Sequence, residues 1–141
     1  MIGCTFFGSR NLSENVEQRL RKVIIGLIEE NGVDCFYVGT QGNFDFLVIR
    51  VLNELNKVYF HIKVVVVLAY MPNQNENYDW LAKSVYPSEV ADVPYRYRIH
   101  KRNCLMLEKS EYVVTCVKNA FGGAAKFKAM AERKGKTVID V

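Results

Sequence analysis

The stretch IKVVVVLAY, Ile62–Tyr70, constrains this chain more than any other. β-Branched residues pack well on a pleated surface, and apart from Lys63 the run offers no polar alternation. A strand of that kind needs cover on both faces, as central strands of parallel sheets have. It is far too short to cross a bilayer, which takes about 20 residues. The rest of the chain must therefore supply helices for both faces and neighbours for both edges.

The flanking sequence meets that demand. Ile2–Phe7 reads as a first strand. Asn11 or Ser13 can cap the helix after it, in which Val16, Leu20, Val23, Ile24, Leu27 and Ile28 recur at helical spacing. Asn31-Gly32 supplies the stop. Cys35–Val38 is a second short strand, and residues from about Gly42 to Lys57 form a helix with Phe44, Leu47, Val48, Val51 and Leu55 inward. After the central strand, Met71–Arg96 contains all three prolines and the polar run NQNEN. It reads as a long irregular loop, either a lid or partner surface or a plain insertion. Tyr97–Lys109 is helical again, EYVVTCV is a fourth strand, FGGAAKFKAMAERKG a helix and KTVIDV a closing strand. Alternation of strand and helix predicts an α/β fold with right-handed crossovers. We expect one domain over residues 1–141, a three-layer Rossmann-like sandwich whose five-stranded parallel sheet has the order 3-2-1-4-5.

Composition narrows the function classes. Nineteen basic against fifteen acidic residues give +4, spread along the chain rather than massed in a patch. An anionic partner is favoured, with a nucleic acid a weaker candidate. Cys4, Cys35, Cys104 and Cys116 form no CxxC pair and sit mostly in apolar segments, as buried small residues of a cytoplasmic protein would. His61 and His100 match no metal motif, so neither a metal nor a resident cofactor is expected. With no apolar run long enough to span it, a membrane is not an expected partner, and since Met1 leads straight into a strand no leader is expected.

Ligands of an open parallel sheet bind beyond the carboxyl ends of its strands, and glycines gather at those exits. Gly8, Ser9 and Arg10 follow the first strand; Gly39, Gly42 and Asp45 follow the second; Tyr70 ends the third; Gly122, Gly123 and Ala124 open the last helix, with Lys126 adding charge. Glycine admits close backbone approach, and a helix start offers unpaired N–H groups to phosphate. FGGAAK is thus a phosphate cradle or merely a tight turn. Asp45 stabilises its helix start, or holds a ribose hydroxyl, or polarises a water. Arg10 pairs with Glu14 or faces the ligand. Arg102, in HKRN before the fourth strand, belongs to a solvated face or joins Arg10 in gripping an anion, which arginine does bidentately. No nucleophile–base pair stands out.

Taken in order, CTFFGSR, GVDCFYVGTQGNFD, VVVLAYMP, KRNCLM, SEYVVTCV, FGGAAKF and KGKTVIDV resemble the small bacterial YpsA-like proteins of the SLOG superfamily, along essentially the whole chain. That superfamily also holds the DNA-processing protein DprA and the cytokinin-activating phosphoribohydrolases. The resemblance implies a Rossmann-like domain, commonly dimeric, that binds nucleotides or nucleotide-derived ligands. It implies ligand-loop roles for Gly8, Ser9, Arg10, Gly39, Gly42 and Asp45, an arginine site at Arg102 with Asn103, and phosphate-facing Gly122, Gly123 and Ala124. Relatives carry histidine where this chain has Ser9 and often tryptophan at Phe121. The phosphoribohydrolase motif PGGxGTxxE is missing: FGGAAKFKAMAE lacks the GT, and Glu132 lies much farther along. A nucleotide-binding sensor or sequestering protein is the first expectation. A nucleotide hydrolase using Asp45 with Arg10 and Arg102 is the alternative, and a DNA-associated protein a third.

Overall fold

A computed structural model of the chain describes all residues except 13–14, 74–77 and 119–121. The strands β1 (Gly3–Gly8), β2 (Cys35–Val38), β3 (Lys63–Val67), β4 (Ser84–Val85), β5 (Tyr112–Cys116) and β6 (Thr137–Asp140) form one sheet in the order β4-β3-β2-β1-β5-β6. Every pairing is parallel. The five expected strands keep their expected order, but the sheet has six: β4 is added outside β3 and comes from the segment expected to be irregular. Val66 pairs with Ser84 and Val67 with Val85, and the Leu68 N–H donates to the Val85 carbonyl at 2.9 Å.

The central strand behaves as its composition demands. Val64 and Val66 join the core beneath α1 (Glu17–Asn31) and α2 (Asn43–Asn56), while Val65 and Val67 pack on the other face with Met106 and Leu107. Those two belong to α4 (Arg98–Glu108), which shares that face with α5 (Gly123–Arg133). β1 divides in the same way, with Cys4 and Phe6 toward α1 and α2 and Phe7 toward α5, where it stacks on Phe127. Full burial of one such side chain contributes roughly 1.5–3 kcal/mol, so two-faced strands anchor the sheet.

Several boundaries move. β3 stops at Val67, and Ala69-Tyr70 bends away. α1 starts at Glu17, its backbone N–H held by the Asn15 side chain at 3.1 Å, so Asn11 does not cap it. Ser13, the other expected cap, and Glu14, the expected partner of Arg10, lie outside the described residues, as does Phe121. Gly32 ends α1 at φ 69°, and the Val33 N–H after it donates to the Leu27 carbonyl at 3.0 Å. The described part of 71–96 contains 3-10 turns at Leu81–Lys83 and Tyr95–Tyr97, β4, and the short α3 (Ser88–Ala91). It builds the sheet's edge, and none of its described residues lines the main cleft. No described helix is long and apolar enough to cross a membrane.

Candidate functional site

Because all strands run the same way, their carboxyl ends share one edge, and there a cleft of about 400 Å³ opens. Gly8, Ser9, Arg10 and Asn11 enter from the exit of β1, Gln41 and Asp45 from the turn into α2, and Arg102, Asn103 and Met106 from α4. Lys118 follows β5, Gly122, Gly123 and Ala124 open α5, and Phe6 and Phe7 add apolar surface.

Arg102 dominates the site. It is 2% exposed, among the largest fully buried side chains of the protein, and so belongs to no solvated face. Its Nε donates to Asn103 Oδ1 at 2.8 Å and its Nη1 to the Val67 carbonyl at 3.3 Å. Among the described residues Nη2 donates to no protein group, yet no buried side-chain nitrogen or oxygen lacks a partner. Nη2 therefore reaches the open space of the cleft. Burial lowers the pKa of the guanidinium, Asp45 opposes that shift, and Arg10 adds to it.

Asp45 lies in the first turn of α2 and is itself buried, with Oδ2 accepting the Gln41 N–H at 2.8 Å. Desolvation pushes its carboxyl pKa up, against the pull of that hydrogen bond, of Arg102 and of Arg10. One carboxylate thus faces two guanidinium groups, leaving the cleft floor with a cationic surplus.

The glycines serve this cluster in different ways. A Cβ on Gly39 would lie 2.6 Å from Arg102 Nη1 and 3.0 Å from Asp45 Oδ2, so its bare backbone makes room for the pair. Gly42 has φ 120°, and a Cβ there would lie 2.6 Å from the Arg10 Cα. The Asn43 N–H then bonds the Arg10 carbonyl at 2.9 Å, fixing the loop that carries Arg10. Gly8 lets the Phe44 ring pack where a side chain would stand. A Cβ on Gly123 would meet nothing within 4 Å, so the start of α5 faces open space. Among the described residues no side chain caps that helix, and its first intrahelical bond is Lys126 N–H to the Gly122 carbonyl at 3.2 Å. The preceding N–H groups have no partner among the described residues.

Ser9 joins two strand exits. Its hydroxyl donates to the Cys116 carbonyl at 3.4 Å and accepts the Lys118 N–H at 3.2 Å. Of the residues singled out in the sequence, Gly8, Ser9, Arg10, Asp45, Arg102, Asn103, Gly122, Gly123 and Ala124 come together around the cleft. Gly39 and Gly42 stand behind it as supports. Tyr70 lies in a neighbouring hollow, and Lys126 is exposed on α5 away from the lining. The sequence reading missed Phe6, Phe7, Asn11, Gln41, Met106 and Lys118. Asn11 and Gln41 sit inside the two loops already marked, whereas the apolar residues carry no signal separating them from core. Among the described residues no three His, Cys, Asp or Glu side chains assemble into a metal site.

No family model and no curated protein matches the chain. The fold is similar to the X-ray structure of DNA processing protein A (DprA) from Streptococcus pneumoniae, with a TM-score of 0.73 and 17% identity. The match covers 99% of this chain and 50% of that one, so this chain spans about half its length. The likeness is one of fold, a Rossmann-like parallel sheet.

Proposed function

We propose that the cleft binds a nucleotide or nucleotide-derived ligand, such as a nucleoside phosphate, an ADP-ribose derivative or a cyclic nucleotide. The anionic group lies between Arg10, Arg102 and the start of α5, and the protein acts as a sensor or a sequestering protein. The observation that carries this reading is the buried Arg102 with one nitrogen turned to the cleft. Removing a guanidinium from water costs several kcal/mol, and a single shared carboxylate offsets only part of that. An anion at Nη2 would complete the pairing, and uncapped N–H groups at a helix start suit the same anion. The volume falls within the range of small-ligand sites, roughly 300–1,000 Å³, and exceeds what bare phosphate would need. The resemblance to YpsA-like proteins supports the same reading, with a cytoplasmic homodimer as its setting.

Calorimetry against nucleoside phosphates, ADP-ribose derivatives and cyclic nucleotides tests it. At least one of them should bind saturably, and Arg10→Ala, at an exposed position, should weaken it roughly 10- to 100-fold, as loss of a charged hydrogen bond does. Folded protein that binds none of them would end the reading.

A second reading, hydrolysis of an N-glycosidic or phosphate bond, is favoured by Asp45, whose burial raises its pKa and lets it hold a proton beside the cleft. The same panel separates the two. General acid or base work contributes about 10²–10⁴-fold, so a hydrolase loses that much turnover in Asp45→Asn, whereas a binder, with the charge opposing Arg10 and Arg102 removed, binds the anion no more weakly.

A further inference from the structure

Across Gln41 from the cleft lies a second hollow of about 200 Å³, and Gln41 lines both. Its other walls are largely aromatic: Phe46 from the first turns of α2, Tyr70 beyond β3, then Tyr78 and Trp80, with Met71 at the mouth. Tyr78 and Trp80 stack with ring centroids 4.7 Å apart at 14°. Tyr70 stacks on Tyr95 at 4.2 Å and donates its hydroxyl to the Tyr95 carbonyl at 3.0 Å, which fixes the ring. Phe46 is 46% exposed and Met71 64%, so neither is placed there by the core.

We propose that this hollow is the base subsite of the same ligand: a purine ring lies against Phe46 and Tyr70, beside the largely buried Trp80, while its phosphate occupies the glycine-walled cleft. The inference rests on the nucleotide reading above. A base is flat and apolar on its faces and polar at its rim, and aromatic side chains bind such faces by stacking. At about 200 Å³ the hollow is half the size of the main cleft. Gln41, where the two cavities meet, offers a donor and an acceptor to the ribose or the rim of the base. A stacking wall of this kind selects for the larger ring system, so purine nucleotides bind ahead of pyrimidine nucleotides.

Trp80 is the single tryptophan of the chain, so its emission reports on this hollow alone. Wild-type protein is titrated with AMP, GMP, UMP and ribose 5-phosphate, following affinity by calorimetry and Trp80 emission by fluorescence. AMP or GMP should quench Trp80 and bind at least about 10-fold tighter than ribose 5-phosphate, with UMP between them. Phe46→Ala, at a half-exposed position, should remove about 10-fold of the purine affinity and leave ribose 5-phosphate unchanged; Phe46→Tyr should retain it. Equal affinity for AMP and ribose 5-phosphate, or purine binding that neither moves Trp80 emission nor responds to Phe46→Ala, overturns the subsite while the phosphate cleft stands. If no nucleotide and no sugar phosphate binds, the nucleotide reading falls and this inference with it.

Discussion

Asp45 is the residue on which opposing influences meet. Its carboxylate accepts the Gln41 N–H and faces two guanidinium groups, yet desolvation is the larger influence and its pKa rises. The folded protein therefore holds this proton to a higher pH than the unfolded chain, whose value lies near 3.8. Stability contributed by protonated Asp45 is complete below that value and is lost as pH rises through the raised folded one. The amide introduced by Asp45→Asn does not titrate, so the melting temperature of that variant should gain on wild type across the acid window and run parallel to it above. A constant difference from about pH 3 upward, in melts followed by circular dichroism, would contradict the assignment. Arg102 shows why residue roles were only partly legible. Its place in HKRN suited a charged surface as well as a site, and burial is a property of the whole fold. Gly39 is similar: it was marked for a ligand, and what it meets is the guanidinium of Arg102 and the carboxylate of Asp45.

The turn from β2 into α2 is the element that places Arg10 and Asp45 together. It depends on Gly42 at φ 120°, ψ −174°, a region that only glycine enters without strain. Gly42→Ala should cost about 1–3 kcal/mol for the backbone, with more from the Cβ that would lie 2.6 Å from the Arg10 Cα. Gly26→Ala is the control. It sits within α1 with nothing near its added Cβ, and should gain about 0.5–1 kcal/mol from helix propensity. Urea midpoints that move alike for the two variants would show that the turn is not strained. Elements were legible in the sequence in proportion to their periodicity. The α2 span, expected from about Gly42 to Lys57, is found at Asn43–Asn56 because five inward apolar residues mark it. β4 has two residues, too short for alternation to register, and owes its existence to the open edge of β3. The start of α1 was not legible from capping residue types: Val16 stands at the cap with no side-chain hydrogen bond, and the Asn15 side chain before it meets the Glu17 N–H.

At the scale of the molecule, six parallel strands direct every exit to one edge, so the placement of the cleft was legible from strand–helix alternation alone. The identity of what binds there depends on charge. A nucleic-acid partner is the competing reading, and the two readings differ in how many phosphates the surface engages. A DNA duplex neutralised at about 6–10 phosphates loses about 10³–10⁵-fold in affinity between 50 and 200 mM salt. A nucleotide held at one or two phosphates loses only about 3- to 7-fold over the same range, taking a slope of about −0.7 per phosphate. The net charge of +4 is dispersed, and the most buried cation, Arg102, is shielded from the screening that weakens exposed pairs. We therefore expect the shallow dependence for a mononucleotide, and weak binding of a single-stranded oligonucleotide that is already lost at about 200 mM salt. An oligonucleotide bound more tightly than any mononucleotide at that salt, with a steep slope, would make the cleft one station on a longer nucleic-acid track. The basic residues around its rim, Arg10 and Lys118 first, would then be the ones whose removal flattens that slope.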